Sequence, residues 1–259
     1  MGHHTRHGLI GLRRADAGTD DRRVNEMWML DELAHAGSEH LDAEFIAGFD
    51  RKQGYPDAEA DIAAFAAHGL GRASVIIDFG AGTGQFAIPA ARRFGRVTAV
   101  DVSPGMLEAI AAKAAAGDGG ATPPRLECVR GGFLSYFPAE PADGVYTRHA
   151  LHQLPDFWKA LALRRIADML RPGGVLRLRD LVYDFGPGEA GAVFDGWLGG
   201  AADDPAAGYT AADYAEHIRT EHSTFRWLLE PMLAAAGLDI AEVSYGRRLY
   251  AAYTCVKAG

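Results

Sequence analysis

The sequence has no excess of positive charge and no long apolar run, and each absence limits its functions. Lysine and arginine together number 26, against 34 aspartate and glutamate residues, which gives a net charge of -8. Binding to nucleic acid or to an anionic membrane depends on clustered basic residues. No apolar stretch approaches the length of about 18 residues that a membrane-spanning helix needs. We therefore expect neither a nucleic-acid partner nor a membrane partner.

Cysteine is also scarce, with only Cys128 and Cys255 among 259 residues. Both lie in apolar, β-like runs, where one disulfide is conceivable but small buried thiols in a reducing cytosol are the favoured interpretation. The N-terminal residues lack the apolar segment of a secretory signal. The sequence therefore predicts a cytoplasmic protein.

The length fits one α/β domain with smaller additions. Residues 1–22 are predicted to be a disordered tail. Apolar residues recur at helical spacing in 23–73, before the first strand, and predict a helical cap. Residues 74–259 form the predicted main domain, and 183–222 form an insertion within it, which is expected to cover the substrate.

Strand and helix patterns alternate from residue 74 onward. This alternation predicts a doubly wound, mostly parallel, Rossmann-like sheet with helices on both faces. Segments 238–245 and 249–257 predict an antiparallel hairpin at its end. The predicted strands are 74–79, 96–102, 125–130, 143–147 and 174–182, and the predicted helices between them are 84–94, 104–116 and 156–171.

A glycine-rich turn follows the first predicted strand in the segment VIIDFGAGTGQFA. The strand ends near Asp78, and Gly80, Gly82 and Gly84 lead into a helix. Glycines at alternate positions let the backbone approach a ligand closely, although such a turn alone is a weak signal. Gln85 stands where a dinucleotide fingerprint needs a glycine or alanine, which disfavours a nicotinamide-dependent oxidoreductase.

Asp101 ends the second predicted strand, 17 residues beyond Gly84. A carboxylate at this place accepts hydrogen bonds from the ribose hydroxyls of a bound nucleoside. It could instead cap the helix that begins near Pro104. The glycine loop and Asp101 together are more specific than either alone, and they predict an adenosine-containing ligand.

These residues resemble the class I S-adenosylmethionine-dependent methyltransferases, in particular the small-molecule branch of the ubiquinone and menaquinone biosynthesis type. The resemblance covers residues 74–182 well, and the ending 223–257 also fits. It implies S-adenosylmethionine as the cofactor and direct in-line methyl transfer to O, N or C of a small-molecule acceptor. The segments that carry it are the glycine loop, Asp101-x-Ser103-x-x-Met106, Leu151-His152-x-Leu154 and Leu170-Arg171-Pro172-Gly173-Gly174.

The resemblance also implies how each part of the cofactor is held. The glycine loop would lie along the methionine part, Asp101 would hold the ribose, and Val102 and Met106 would pack against adenine. Related enzymes often carry an acidic residue where this chain has Gly132, so backbone near Gly132 and the ring of Phe133 are expected to contact adenine instead. The implied cofactor-binding residues are Asp78, Gly80, Ala81, Gly82, Gly84, Asp101, Val102, Met106, Gly132, Phe133 and Arg148.

Two histidines follow the fourth predicted strand, at the point where a doubly wound sheet forms its ligand crevice. His149 or His152 could act as a general base, because the pKa of a free imidazole lies near neutrality. Each could equally line the wall or be hydrogen-bonded in the interior. The pair could ligate a metal ion, but no third ligand is evident, so no metal site is predicted.

The sequence lacks the signatures of several other methyltransferase classes. Residues 147–150 do not match the Asn/Asp-Pro-Pro-Tyr motif of adenine and amide N-methyltransferases, and no cysteine nucleophile lies near the crevice. A small-molecule acceptor is therefore expected. A non-catalytic cofactor-binding module is the alternative from another class, and no feature indicates an oligomeric state.

Overall fold

The computed structural model describes residues 13–14, 28–54, 57–117 and 125–259. The strands are β1 (Arg13–Arg14), β2 (Val75–Phe79), β3 (Arg96–Asp101), β4 (Leu126–Arg130), β5 (Ala142–Arg148), β6 (Leu170–Tyr183), β7 (Thr224–Phe225), β8 (Leu238–Gly246) and β9 (Tyr250–Lys257). The helices are α1 (Glu32–His35), α2 (Ala43–Lys52), α3 (Glu59–Ala67), α4 (Ala87–Arg93), α5 (Pro104–Gly117), α6 (Asp156–Met169), α7 (Ala190–Gly199), α8 (Ala211–Thr220) and α9 (Arg226–Ala235). Short 3₁₀ helices are Ser38–Leu41, Leu151–Gln153 and Pro187–Glu189.

One sheet runs through the protein in the order β1-β4-β3-β2-β5-β6-β9-β8, and β7 pairs with the end of β6. The pairings among β1 to β6 are parallel, whereas β9 is antiparallel to both β6 and β8. This confirms the predicted doubly wound sheet with a C-terminal hairpin. The strand order reverses between β2 and β5, which places the ligand crevice at the carboxyl ends of these strands.

Helices bury both faces of the sheet, which explains why its central strands are almost wholly apolar. In β2, Ile76 joins a core with Phe65 of α3 and Leu107 of α5. The next residue, Ile77, points the other way and joins a core with Leu163 of α6. The sheet is therefore fixed from both sides, and the residues at its carboxyl edge are held on a rigid support.

The N-terminal part differs from the sequence-based expectation. The helical cap was expected to begin at residue 23, but the first described helix, α1, begins at Glu32, where the Asp31 side chain accepts from the Leu33 amide at 3.1 Å and caps it. Arg13–Arg14 pair in parallel with the end of β4. The rest of the predicted tail, and residues 23–27, lie outside the described residues.

Both cysteines are free and buried, as the composition predicts. Among the described helices, none combines the length and the apolar character needed to cross a membrane.

A buried carboxylate attaches α3 to the sheet. Asp61 is 1% exposed. It accepts hydrogen bonds from the Tyr146 hydroxyl of β5 and from the Arg177 and Arg179 guanidinium groups of β6, each at 2.9 Å. Burying a charge is costly unless it is paired, and here one carboxylate serves two cations.

We predict that Asp61→Ala lowers the free energy of unfolding by about 3 kcal/mol, because it leaves both arginines without their buried partner. Urea unfolding measures this. Glu59→Gln is the matched control on the same helix, since the Glu59–Arg93 pair is exposed and its loss costs at most about 1 kcal/mol. Equal losses in both variants would contradict the structural role of Asp61.

Candidate active site

The carboxyl ends of β2, β3 and β5 open into a large cavity. Its volume is about 1460 Å³, which exceeds the range of about 300–1,000 Å³ that is usual for one ligand. The cavity therefore has room for a cofactor and a second molecule. The predicted site residues that line it are Asp78, Gly80, Ala81, Gly82, Asp101, Val102, Gly132, Phe133, Arg148, His149 and His152.

The glycine loop after β2 is shaped by positions that exclude a side chain. Gly80 has a φ of 64°, and a Cβ there would lie 2.4 Å from the Cβ of Ala150. Gly82 has a φ of 53° and faces the ring of Phe49. Gly84 does not line the cavity, because it packs against Ile88 of α4. The loop thus presents Gly80 and Gly82 to the cavity, while Gly84 joins it to the helix.

Asp101 links the glycine loop to the end of β3. One carboxylate oxygen accepts from the Gly82 amide at 2.8 Å, and the other accepts from the Ser103 amide at 2.9 Å. Burial raises the pKa of Asp101 to about 6, although these amides oppose the shift. The carboxylate is thereby held in one position at the cavity, where its remaining lone pairs are available to a ligand.

Asp78 lies beside this loop at the end of β2. It is 2% exposed, and its Oδ2 atom has no hydrogen-bond partner among the described residues. Burial raises the pKa of Asp78 well above its usual value, and the negative charges of Asp101 and Asp61 add to the shift. A buried acceptor without a partner is costly, so this position suits a ligand group that donates hydrogen bonds or carries positive charge.

The residues expected near adenine divide into two groups. Phe133 lines the cavity and stacks on Phe79, with ring centroids 5.0 Å apart. Val102 also lines the cavity, whereas Met106 is 1% exposed and lies in the protein interior, outside the cavity lining. Any contact of Met106 with a ligand in the cavity is therefore indirect, through the residues that it supports.

Glu32 of α1 occupies the space beside Gly132, the position at which the resemblance leads one to expect an acidic side chain. A Cβ at Gly132 would lie 2.4 Å from Glu32 Oε1. The Glu32 carboxylate accepts from the Leu134 amide at 3.0 Å and from the Ser135 hydroxyl at 2.8 Å. Burial raises the pKa of Glu32 against the effect of these bonds. The sequence analysis missed this residue, because it lies about 100 positions away from Gly132 in the chain.

A second carboxylate from residues 28–54, here called the N-terminal segment, contacts the glycine loop. Asp50 of α2 accepts hydrogen bonds from Gln85 Nε2 at 2.9 Å and from the Thr83 hydroxyl. It also pairs with Lys113 of α5. These contacts lower the pKa of Asp50, although burial opposes them. The sequence analysis did not identify this contact either.

Residues of the segment 183–222, the predicted insertion, form the opposite wall of the cavity. This segment contacts the N-terminal segment. Lys52 Nζ lies 3.2 Å from Asp213 Oδ1, and Gln53 Nε2 donates to the Tyr209 hydroxyl at 2.8 Å. Lys52 also lies over the Tyr209 ring, 4.8 Å from its centroid. The two segments therefore meet across the cavity. Other lining residues of the insertion are Trp197, Tyr214, Glu216, His217 and Glu221, and Tyr250 of β9 lies beside them.

His152 lies between two carboxylates. Its Nδ1 is 2.5 Å from Asp180 Oδ1, and its Nε2 is 2.7 Å from Glu221 Oε2. Burial opposes a positive charge on the ring, but the two carboxylates outweigh it and raise the pKa of His152 to about 9. An imidazolium has no lone pair to accept a proton. The general-base role expected for His152 is therefore disfavoured in the free protein.

His149 has the opposite electrostatic environment. Burial lowers the pKa of His149 to about 3, and the nearby Arg148 charge adds to the shift against the attraction of Asp180. Its backbone φ is 50°, a left-handed conformation that is uncommon outside glycine. The ring is neutral near pH 7, yet too weakly basic to match the pKa near neutrality that was expected of a catalytic base.

No third metal ligand is evident from the sequence, but the fold brings two candidate ligands to His152. His217 and Glu221 lie beside it, and the ligand atoms of the three residues lie within 4.8 Å of one another. His149 is not part of this cluster. His217 and Glu221 lie more than 60 residues beyond His152 in the chain, so the sequence around the His149–His152 pair does not indicate them.

Known proteins share both sequence and fold with this chain. Residues 76–174 match the profile of a family described as a methyltransferase domain. An uncharacterised methyltransferase of Geobacillus kaustophilus is 28% identical over 156 residues, which cover 57% of this chain and 69% of that protein.

Two solved structures illustrate the similarity of fold. The magnesium protoporphyrin IX methyltransferase of Synechocystis, solved with bound S-adenosylmethionine, has a TM-score of 0.61 at 15% identity and covers 89% of this chain and 99% of its own. The cyclase SpnF has a TM-score of 0.55 at 18% identity, with 76% and 79% covered. At these identities the likeness shows the fold.

The matched domain spans β2 to the start of β6, and it contains the glycine loop, Asp101 and the histidines after β5. The domain match, the relative and the sheet order agree with one another and with the residues at the carboxyl edge. Residues 76–174 therefore resemble a methyltransferase domain, on a fold shared with a methyltransferase that binds S-adenosylmethionine.

Proposed function

We propose that this enzyme transfers a methyl group from S-adenosylmethionine to a small-molecule acceptor, at an O, N or C atom, by direct in-line displacement. The main support for the proposal is that one cavity has two halves with different linings. One half holds the buried carboxylates of the sheet edge, and the other is enclosed by the insertion and the N-terminal segment. A covered cavity of this kind suits a small molecule better than a nucleic acid or a protein surface.

The residues of the first half fit the cofactor. Asp101 would accept hydrogen bonds from the ribose hydroxyls, and the open backbone at Gly80 and Gly82 would lie along the methionine part. The unpartnered Oδ2 of Asp78 would receive the cofactor's ammonium group. Two buried carboxylates also favour a ligand that carries a sulfonium and an ammonium charge.

Adenine would lie between Phe133 and Val102, with the Glu32 carboxylate accepting from its amino group. The role expected for backbone near Gly132 is then shared with a side chain from α1. This position of Glu32 makes cofactor binding depend on the N-terminal segment as well as on the sheet.

The second half would align the acceptor. S-adenosylmethionine supplies an already activated methyl group, so alignment of an acceptor lone pair with the S–CH₃ bond contributes much of the rate. Arg148, His149 and the aromatic rings of Trp197 and Tyr250 would position the acceptor. The N-terminal segment and the insertion would exclude water by closing over it.

Cofactor binding should weaken at acid pH because Asp101 must be ionised to accept both hydroxyls well. With a pKa of about 6 in the free protein, the affinity for S-adenosylhomocysteine should fall by about tenfold between pH 7 and pH 5. Isothermal titration calorimetry at each pH measures this. Asp101→Asn should bind about ten- to a hundredfold more weakly at pH 7, because a charge-assisted bond is lost, and should lose this part of the pH dependence. Equal slopes in both proteins would show that the ribose lies elsewhere.

Glu32 should select the amino group of adenine. We predict that the wild type binds S-adenosylhomocysteine at least tenfold more tightly than S-inosylhomocysteine, which carries an oxygen in place of that amino group and would face the carboxylate. Glu32→Gln should reduce this ratio, because the amide can donate to the oxygen. Asp31→Asn, at the exposed cap of the same helix, should keep the wild-type ratio. A ratio unchanged by Glu32→Gln would remove Glu32 from adenine recognition.

The acceptor class can be tested with a methyl-labelled donor and a cell extract that contains protein, nucleic acid and metabolites. After acid precipitation, we expect the label in the soluble small-molecule fraction, and we expect Asp101→Asn to transfer much less at a limiting donor concentration. Label that is found instead in precipitated protein or nucleic acid would contradict the small-molecule proposal.

A further inference from the structure

A cluster of two imidazoles and one carboxylate lies on the acceptor side of the cavity. His152 follows β5, His217 lies in the last turn of α8, and Glu221 is the residue directly after that helix, with its side chain beside His217. We propose that His152 Nε2, His217 Nδ1 and Glu221 Oε2 bind a divalent transition-metal cation of the zinc type.

The other ring nitrogen of each histidine is already held by an oxygen. His152 Nδ1 lies 2.5 Å from Asp180 Oδ1, and His217 Nε2 lies 2.8 Å from the Ser223 hydroxyl. Metal-binding histidines are usually oriented in this way by a carboxylate, a carbonyl or another oxygen on the second nitrogen. The two remaining nitrogens are thereby directed towards Glu221.

The Glu221 oxygen is close to both nitrogens but poorly placed for hydrogen bonds. Its Oε2 atom lies 2.7 Å from His152 Nε2 and 2.6 Å from His217 Nδ1. Nevertheless, this buried atom has no hydrogen bond of acceptable direction to the described residues. A tetrahedral ion with bonds of about 2.0–2.1 Å holds its ligands about 3.3–3.4 Å apart, so each of these two distances needs to lengthen by about 0.6–0.8 Å.

Charge and ligand type indicate the class of ion. Asp180 and Glu221 contribute two negative charges, which a divalent cation balances when both imidazoles are neutral. Two imidazole nitrogens with one carboxylate suit zinc and its neighbours such as iron, cobalt and manganese, whereas magnesium and calcium prefer oxygen ligands alone.

Three protein ligands leave at least one coordination position open, as in catalytic metal sites. All three residues line the cavity, so the open position faces the acceptor side. There the cation would bind an acceptor hydroxyl and lower its pKa. The hydroxyl proton passes to solvent, and the oxygen forms a bond to the methyl carbon as the C–S bond breaks and S-adenosylhomocysteine leaves. This catalytic role, unlike the metal site itself, rests on the proposed function.

The metal site is tested by titrating the chelator-treated full chain with Co²⁺, which gives visible absorption bands when protein nitrogens bind it. We expect one tightly bound Co²⁺ per chain, no such bands in His217→Ala, and affinity reduced by about ten- to a hundredfold in Asp180→Asn. Glu216→Gln is the matched control, because Glu216 lines the same cavity and pairs with Arg219; it should bind as the wild type does.

The N-terminal histidines need their own control, since His3, His4 and His7 could also bind a metal ion. Replacement of all three by alanine should leave the Co²⁺ bands in place. A wild type without bands, or bands that persist in His217→Ala or disappear in the N-terminal variant, would overturn the site and leave an ion-paired His–Glu–His cluster. Retained stabilisation of His217→Ala by S-adenosylhomocysteine verifies that the variant is folded.

The two proposals fail in distinguishable ways. Co²⁺ binding requires no methyl transfer, so it can be present even if the acceptor proposal is wrong. If methyl transfer by the wild type is unchanged after the metal is removed by a chelator, the catalytic role of the ion is excluded.

Discussion

The active site depends on the Asp101 carboxylate, which joins two loops before any ligand binds. Its two oxygens accept from the Gly82 and Ser103 amides, so the glycine loop after β2 and the turn after β3 are fixed relative to each other. Both strands are parallel neighbours in the centre of the sheet. The proposed ribose acceptor is therefore preorganised, and little conformational entropy would be lost when a nucleoside binds.

Two further carboxylates, both from the N-terminal segment, complete this arrangement. Asp50 holds the glycine loop through Thr83 and Gln85, and Glu32 fills the space left by the missing side chain at Gly132. In the proposed arrangement, the segment is part of the cofactor site and also one wall of the acceptor cavity. Binding of the cofactor and closure over the acceptor would then be coupled through the same residues, which is a common way to keep water away from a reactive donor.

The sequence was sufficient to predict those features that depend on residues close together in the chain. Strand–helix alternation predicted the sheet, and the glycine spacing with Asp101 predicted residues that meet at its carboxyl edge, because each pattern lies within one or two elements. The contributions of Glu32 and Glu221 could not be predicted, since they depend on contacts between segments that are distant in sequence. The environment of His152 has the same origin: its pKa is set by Asp180 and Glu221, neither of which lies near it in the chain.

The central claim is that the nucleoside of S-adenosylmethionine is held at the carboxyl ends of β2 and β3, with the N-terminal segment against adenine. A crystal structure with bound S-adenosylhomocysteine tests it most directly. The account predicts both ribose hydroxyls within hydrogen-bond distance of Asp101, the ammonium group at Asp78, and the adenine amino group at Glu32. A nucleoside bound in the other half of the cavity, beside Trp197 and Tyr214, or a ribose that makes no contact with Asp101, would contradict it.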